Sequence, residues 1–232
     1  MLKFVRTRQE IIQIPIPEQT DSYSVVSHEN IISEIEEMLD KRNLSITNEL
    51  YRMDASGNKL TGMLRINQGN SDMEFMIGFK NSYDKSISLG LAAGAQVIVC
   101  ENGCVSGEID MVRKHTGTIL IELQFKIENI INRLENSFNL IVQDADTMKN
   151  ITMSNRKFSE LIGRMYVEEE LFSPNQLSVI KDQFHNSEFQ EFRGGNAWSL
   201  YNWCTYALKS SHSNTMLQDH ENLHNFFKKE IL

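Results

Sequence analysis

Cysteine, proline and tryptophan are all scarce in this chain. The 232 residues include three cysteines, three prolines and two tryptophans. An odd number of cysteines without paired CxxC units excludes a four-cysteine zinc site and favours a reducing compartment. With so few prolines and only 12 glycines, the sequence has little material for disordered linkers. We therefore expect it to fold around a substantial core.

Long apolar runs are also missing. The longest mostly apolar run, residues 89–100, is too short to cross a bilayer. Residues 1–8 place charged side chains among apolar ones and lack the continuous apolar core of a signal peptide. We therefore expect a cytoplasmic protein with no membrane partner.

Positive charge is in deficit, since the formal net charge is −8. This total argues against a protein that coats polyanions indiscriminately. It leaves room for a local basic groove, because the potential at a cleft depends on the charges nearby. The least acidic stretch is residues 41–85, with seven Lys or Arg residues against five Asp or Glu residues.

The hydrophobic pattern predicts an α+β protein in three parts. Residues 1–25 are predicted to be an extended N-terminal arm, since Pro15 and Pro17 disfavour helix there. Residues 26–116 are predicted to form a sheet domain with an antiparallel β-meander, a short packed helix and a β-hairpin. Residues 117–232 are predicted to be helical and to pack on the sheet domain.

Alternation with a period of two predicts the meander strands, over residues 46–52, 60–66 and 73–79. The short helix is predicted from Lys85 to Ala95. One face of that helix carries small residues: Ser86, Gly90, Ala93 and Gly94. Asn102-Gly103 predicts the type I′ turn of the hairpin, because this pair readily adopts two positive φ angles.

Apolar residues at spacings of three and four predict a helix after Ser27, a long helix over residues 117–147 and four further helices. Ser173-Pro174 is a suitable start for one of these. The helix after Asn196 carries a stripe of Trp198, Tyr201, Asn202 and Thr205. We expect this stripe to lock the helix to the sheet domain through buried hydrogen bonds.

The segment Gly78–Ser86 is a candidate phosphate site. It places amides, hydroxyls and two lysines where a strand is predicted to enter a helix N-terminus, which favours anions. An ordinary turn capped by Asp84 is the structural alternative. With a second basic cluster, the expected nucleic-acid contacts are Lys80, Asn81, Tyr83, Lys85, Arg113, Lys114 and His115. Tyr51 and Tyr83 are expected to be exposed for base stacking, whereas Phe75 and Phe79 are expected to face the core.

His220, Glu221 and His224 spell a literal HExxH, the helical motif of zinc proteases. A third ligand would have to come from upstream, for instance His212 or His185. The two histidines also share a helix face with Leu217, Leu223 and Phe227, which fits packing at the edge of a core. Cys204 has no evident base beside it. We therefore expect no catalytic residue, no bound metal and no cofactor, with a metal-dependent hydrolase as the third hypothesis.

Several strings together resemble a family carried by phages, plasmids and prophages and catalogued as domain of unknown function 932. They are Gly-Phe-Lys-Asn-Ser-Tyr-Asp-Lys-Ser from residue 78, Val-Cys-Glu-Asn-Gly from 99, Arg-Lys-His-Thr from 113, Asn-Ala-Trp-Ser-Leu-Tyr-Asn-Trp-Cys-Thr from 196, Ser211-His212, and His-Glu-Asn-Leu-His-Asn-Phe-Phe from 220. Trp203 departs from the family pattern, which more often has a small residue there. The resemblance implies a mobile-element accessory protein and brings no established reaction.

A second similarity is architectural. Three antiparallel strands leading into a helix resemble the core of single-strand annealing recombinases of the Red beta and Erf type, although one fold hosts many functions. The leading hypothesis is a non-enzymatic, DNA-associated protein that binds or anneals single strands and forms a homo-oligomer, as annealing proteins do. The alternative is a protein-binding module that inhibits or regulates a host or phage protein.

Overall fold

The computed structural model describes residues 4–20, 24–99, 102–105, 110–112, 119–212 and 214–232. Over these residues the chain forms one sheet and a set of helices. The strands are β1 Phe4–Arg6, β2 Ile46–Met53, β3 Lys59–Gly69, β4 Met73–Ser82, β5 Leu89–Val97, β6 Gly103–Val105 and β7 Asp110–Val112. The helices are α1 Arg8–Ile12, α2 His28–Asp40, α3 Ile119–Asn150, α4 Asn155–Val167, α5 Pro174–His185, α6 Ala197–Leu208 and α7 Met216–Glu230. The predicted α+β class, with a meander followed by a helical half, is confirmed.

The sheet is antiparallel and its strands run in the order β1-β2-β3-β4-β5-β6, with β7 also paired to β5. Strand alternation gives it two buried faces. One face packs against α2 and α3 and includes Tyr51, Leu64, Phe79 and Leu91. The opposite face is covered by α7 and includes Met63, Met76 and Ala92, which pack against Met216 and Leu217.

The prediction of a helix over Lys85–Ala95 is wrong for most of this segment, because residues 89–97 form β5. Its alternation is hard to see in the sequence, since every residue of β5 is buried and most are small. Leu89, Leu91 and Ala93 join the core on one face, while Gly94 allows close approach of β6. A Cβ at Gly94 would lie 2.2 Å from the main-chain oxygen of Cys104. The small residues therefore serve strand pairing.

The predicted hairpin is present, but its turn lies elsewhere. β5 pairs with β6 through Gln96 and Gly103, so Gly103 belongs to the strand. The main-chain N–H of Val97 donates to the oxygen of Asn102 at 2.9 Å. Asn102 is buried, and its Nδ2 donates to the main-chain oxygen of Asn202 at 3.1 Å. The same Nδ2 lies 3.3 Å from Oδ1 of Asn202, so this side chain joins α6 to the hairpin and has the predicted locking role. The hydroxyl of Thr205 instead donates to the main-chain oxygen of Asn202 within α6.

The helical half agrees closely with its pattern. Helix α3 extends over 32 residues, about 48 Å at 1.5 Å per residue. Ser173 and Gln176 form a capping box at the start of α5, with Pro174 in its first turn. Asn196 caps α6 by accepting from the N–H of Ser199 at 2.9 Å. These caps begin the helices at the positions that the sequence indicates.

Part of the segment predicted to be an extended arm is folded onto the body. β1 pairs with β2, so it forms one edge of the sheet. The following helix α1 is tied down by Arg8, whose guanidinium forms ion pairs with Glu29, Glu36 and Glu49 at 3.0, 2.8 and 3.5 Å. The strap made by residues 4–12 is therefore held by main-chain bonds and by one arginine.

Candidate anion-binding cleft

A cleft of about 800 Å³ opens where the edge of the sheet meets the ends of three helices. β2 contributes Arg52 to its wall, and the end of α6 contributes Lys209 and His212. Hydroxyl and amide groups line much of the rest: Ser173, Asn175, Gln176, Ser210, Ser211 and Thr215. Two carboxylates, Glu170 and Asp219, also border it. The lining therefore combines polar groups and charges of both signs with the apolar side chains of Val5, Leu171 and Phe172.

Arg52 is the unusual group of this cleft. Its Nε and Nη1 atoms are buried and have no hydrogen-bond partner among the described residues. Burial lowers the pKa of Arg52, and no carboxylate of the described ranges offsets this effect. By contrast, the pKa values of Arg8 and Arg164 are raised, mainly by hydrogen bonds to Glu36 and Glu230. A desolvated guanidinium without an acceptor is unfavourable unless an anion arrives from outside.

Strand alternation explains why Arg52 faces the cleft. Its neighbours Tyr51 and Met53 point into the core beneath α2 and α3, so Arg52 points to the opposite face. There it lies opposite Thr61 of β3, which in turn lies opposite Lys80 of β4. This row crosses the sheet on the face that α7 covers.

Helix ends complete the cleft. Ser173 and Thr215, the N-cap residues of α5 and α7, both line it. The positive ends of two helix dipoles are therefore at its border. Gln176 donates from Nε2 to the hydroxyl of Ser211 at 3.0 Å, which fixes the loop after α6 against α5. The cleft is thus organised by contacts between elements that are distant in sequence.

Among the described residues predicted to contact nucleic acid, Lys80 and Asn81 point to opposite faces of the sheet. Lys80 is 9% exposed and lies on the face covered by α7. Burial lowers its pKa, and the nearby carboxylates of Glu221 and Asp219 act in the opposite direction. Asn81 is fully buried on the other face, where its Nδ2 donates to the oxygen of Val26 at 2.9 Å and lies 3.1 Å from Nδ1 of His28. Adjacent positions in a strand point to opposite faces, so these two side chains separate.

The prediction that Tyr51 and Tyr83 are exposed is wrong. Tyr51 is 1% exposed and Tyr83 is 5% exposed. The ring of Tyr83 stacks on His28 at 4.0 Å, and its hydroxyl accepts from the main-chain N–H of His28 at 3.0 Å. The segment leading into α2 covers this end of the sheet. Phe75 and Phe79 are buried in the core, as predicted.

The predicted helix N-terminus at Asp84 does not exist, because a bend follows β4. Asp84 accepts hydrogen bonds from the N–H and hydroxyl of Ser86, so the segment is an ordinary turn. Lys85 is exposed there, at a φ of 60°. Arg113, Lys114 and His115 lie outside the described residues, so their part of the predicted groove stays a prediction.

The HExxH string does not have the geometry of a metal-binding pair. Both ring nitrogens of His224 already have partners, with Nδ1 at 3.1 Å from the Tyr201 hydroxyl and Nε2 at 3.1 Å from Oδ2 of Asp144. His220 is buried, and burial followed by the charge of Arg52 lowers its pKa to about 3. Glu221 accepts from Gln218 at 2.6 Å. Within the described ranges, no group of three or more His, Cys, Asp or Glu side chains is arranged to bind a metal ion.

Arg52 and Lys209 are the site residues that the sequence analysis missed. The available signal was a cation inside a strand whose neighbours, Tyr51 and Met53, are apolar. Arg52 also belongs to the least acidic stretch of the chain. Its lack of a partner depends on what α7 and the loop after α6 place around it, and that is not visible locally.

Comparison with known protein families identifies the family of this chain. Residues 18–225 match the family model described as Domain of unknown function (DUF932), a range that includes Arg52, Lys209 and Asp219. No curated protein and no solved structure matches the chain. In the part of the chain that the structure describes, no helix combines the length and apolarity needed to span a membrane.

Proposed function

Because the chain belongs to the DUF932 family, whose description names no activity, we propose from its own residues that it is a DNA-associated protein whose cleft binds the phosphate backbone of single-stranded DNA. The observation that carries this proposal is Arg52. Its guanidinium lines the cleft of about 800 Å³ and has two buried nitrogens without an acceptor among the described residues. A planar guanidinium matches phosphate oxygens in geometry as well as in charge.

The other groups of the cleft suit a nucleic-acid strand. Hydroxyl and amide side chains beside cations are the groups that contact phosphate and sugar oxygens. The volume of about 800 Å³ lies in the range of small-ligand pockets. It exceeds what one phosphate needs and is too small for a duplex, so we assign a few nucleotides of one strand.

Binding is expected to be modest and to depend weakly on salt. Arg52 and Lys209 are the Arg and Lys side chains that line the cleft in the described part of the chain, and the total charge of −8 opposes a larger electrostatic contribution to binding. For single strands the logarithm of affinity falls with the logarithm of salt by about 0.7 per phosphate contact. Two contacts give a slope of about −1.4.

Arg52→Met tests the proposal in one titration. We expect the affinity for a fluorescent 40-nucleotide single strand, followed by anisotropy, to fall by about tenfold and the salt slope to move to about −0.7. The matched control is Arg156→Met, which removes the same charge from an exposed position on α4. An unchanged slope in Arg52→Met, or equal effects in both variants, would refute this site.

Stability gives an independent readout for the same variant. Removing an unpaired, partly buried cation is expected to leave the melting temperature unchanged or to raise it, by roughly 2–4 °C for each kcal/mol gained. A structural arginine would instead destabilise the protein when removed. Loss of binding together with unchanged or higher stability identifies a group kept for function.

The proposal also includes further phosphate contacts, a mobile-element setting and a homo-oligomeric state. Lys85, Arg113, Lys114 and His115 are proposed as further phosphate contacts, and Lys85→Ala is measured in the same titration. The mobile-element setting and a homo-oligomeric state are proposed with them, the latter tested by light scattering with and without the oligonucleotide.

One observation favours a second candidate function, binding to a protein partner. Near its start, α3 exposes Leu120, Ile121 and Phe125 by 49%, 73% and 60%. Exposed apolar side chains at this spacing on a helix are typical of a protein contact. A host protein captured from lysate after nuclease treatment, and lost in Phe125→Asp, would support this candidate. Capture that disappears on nuclease treatment would instead support the proposal of DNA binding.

A further inference from the structure

A second cleft, of about 520 Å³, lies at the other end of α5. It is bordered by the start of α4, the end of α5 and the middle of α6. We propose that this cleft binds a nucleobase. The inference does not depend on the anion-binding cleft, because the two share no lining residue.

The floor of the second cleft is aromatic. Phe158, Phe184 and Trp203 all line it and contact one another, with ring centroids 5.3–5.8 Å apart. Phe158 and Trp203 are buried, whereas Phe184 is partly exposed. Phe184, on the exposed side of this cluster, offers a stacking surface for a planar ligand.

Two hydrogen-bond donors line this floor without an acceptor. Nε1 of Trp203 is buried and has no partner among the described residues. Gln183 is 8% exposed, and its Oε1 accepts from the hydroxyl of Ser187 and the N–H of Glu188 at 3.4 and 3.2 Å. These bonds orient its Nε2, which donates to no described residue, towards other partners. A buried donor without an acceptor is costly, so Nε1 of Trp203 favours a ligand that carries acceptors, and Nε2 of Gln183 adds a second donor beside it.

The rim supplies a cation. Arg193 is exposed, and its Nε and Nη2 atoms both donate to the main-chain oxygen of Ser187, at 3.1 and 2.8 Å. The guanidinium is therefore held at the mouth of the cleft beside the amides of Asn155 and Asn186. A cation at the mouth of an aromatic cleft suits the phosphate of a nucleotide.

These features together define the ligand class. A planar ring fits the aromatic floor, and ring oxygens or nitrogens accept from Trp203 and Gln183. Nucleobases have both properties, and pyrimidine carbonyls supply acceptors on one ring edge. Since Nε1 of Trp203 has no exposed surface, a ligand reaches it when a floor ring shifts, and the partly exposed Phe184 is the ring that we assign to this movement.

Calorimetric titration of the full chain tests the assignment. The probes are thymidine monophosphate, deoxyribose 5-phosphate without a base, and a ten-residue thymidine oligomer. We expect Trp203→Phe, which keeps an aromatic ring and removes the N–H, to weaken thymidine monophosphate binding by about tenfold. Gln183→Leu is expected to act similarly. Trp198→Phe is the matched control, since Trp198 stacks on Tyr201 and does not line the cleft.

Each outcome decides the question. If the mononucleotide binds and both variants weaken its binding, the cleft is a site for a free nucleotide. If only the oligomer binds and both variants weaken its binding, the cleft is a nucleobase site for a strand. Binding of deoxyribose 5-phosphate as tight as that of the nucleotide overturns the nucleobase assignment, as does absence of binding or an unaffected Trp203→Phe. Trp203→Phe is expected to leave the salt slope of single-strand binding at about −1.4, because Trp203 does not line the anion-binding cleft, so failure here is distinguishable from failure of the DNA proposal. Melting curves confirm that each variant is folded.

Discussion

Lowering the pH from 7 to 4.5 is expected to reduce the free energy of unfolding by several kcal/mol. Two buried histidines carry the effect, because burial lowers the pKa of His28 to about 4 and that of His220 to about 3. Both are neutral in the folded protein, whereas in the unfolded chain they take up protons near pH 6.5. Their stabilising contribution is complete above pH 6.5 and is lost as the pH falls towards the pKa values of the two histidines in the folded protein.

The surroundings of each histidine fix the sign. His28 stacks on Tyr83 and contacts Asn81. Burial lowers its pKa, and this effect outweighs the main chain of Gly57 and the charge of Asp54, which both favour protonation. His220 faces the positive charges of Arg52 and Lys209, which oppose its protonation further. Each group changes the free energy of unfolding by up to about 1.4 kcal/mol per pH unit, so the pair reaches roughly 3 kcal/mol per unit between pH 6 and 4.5.

Urea unfolding at pH 7, 6 and 5 measures this slope. His28→Gln and His220→Gln are each expected to remove about half of it, even if they lower stability at pH 7. His212→Gln is the matched control, because His212 is exposed at the cleft. A slope that persists in both core variants would assign the acid sensitivity to other groups.

The second large effect is expected from Gly94→Ala. A Cβ at this position would lie 2.2 Å from the main-chain oxygen of Cys104, so β5 and β6 cannot keep their register. Moving a strand in a filled sheet is costly, and we expect a loss of about 3 kcal/mol or more in the free energy of unfolding. Chemical denaturation, or the yield of folded protein if the loss is larger, measures it.

Gly163→Ala is the matched control for this substitution. Gly163 lies in α4, and a Cβ there would meet nothing within 4 Å. Alanine is the better helix former, so this variant should gain about 0.5–1 kcal/mol. Similar changes in both variants would contradict the close approach at Gly94.

The fold was predictable where each segment carries its own pattern. β3 and β4 alternate clearly, because larger apolar residues such as Leu64 and Phe79 mark one face. The helix caps at Ser27, Ser173 and Asn196 depend on local hydrogen bonds and were predicted correctly. The prediction for β5 was wrong because this strand is buried on both faces and its glycines fit a neighbouring strand. That requirement is not visible within the segment itself.

The candidate site was predicted less well, because it depends on what covers each side chain. Tyr83 has the composition of a stacking residue, yet His28 covers it from 55 residues away. The HExxH spacing is local, but the partners of His224 come from α3 and α6. Arg52 is conspicuous only once its surroundings are known to lack an acceptor.

The strap of residues 4–12 determines how the sheet opens. β1 pairs with β2 over only three residues, and the ion pairs of Arg8 and the buried side chain of Ile11 fasten the rest. Detaching so short a segment requires far less free energy than global unfolding. The β2 amides that face β1 should therefore exchange hydrogen well before those that face β3. Each such opening briefly presents an unpaired strand edge, which can template a strand from another chain.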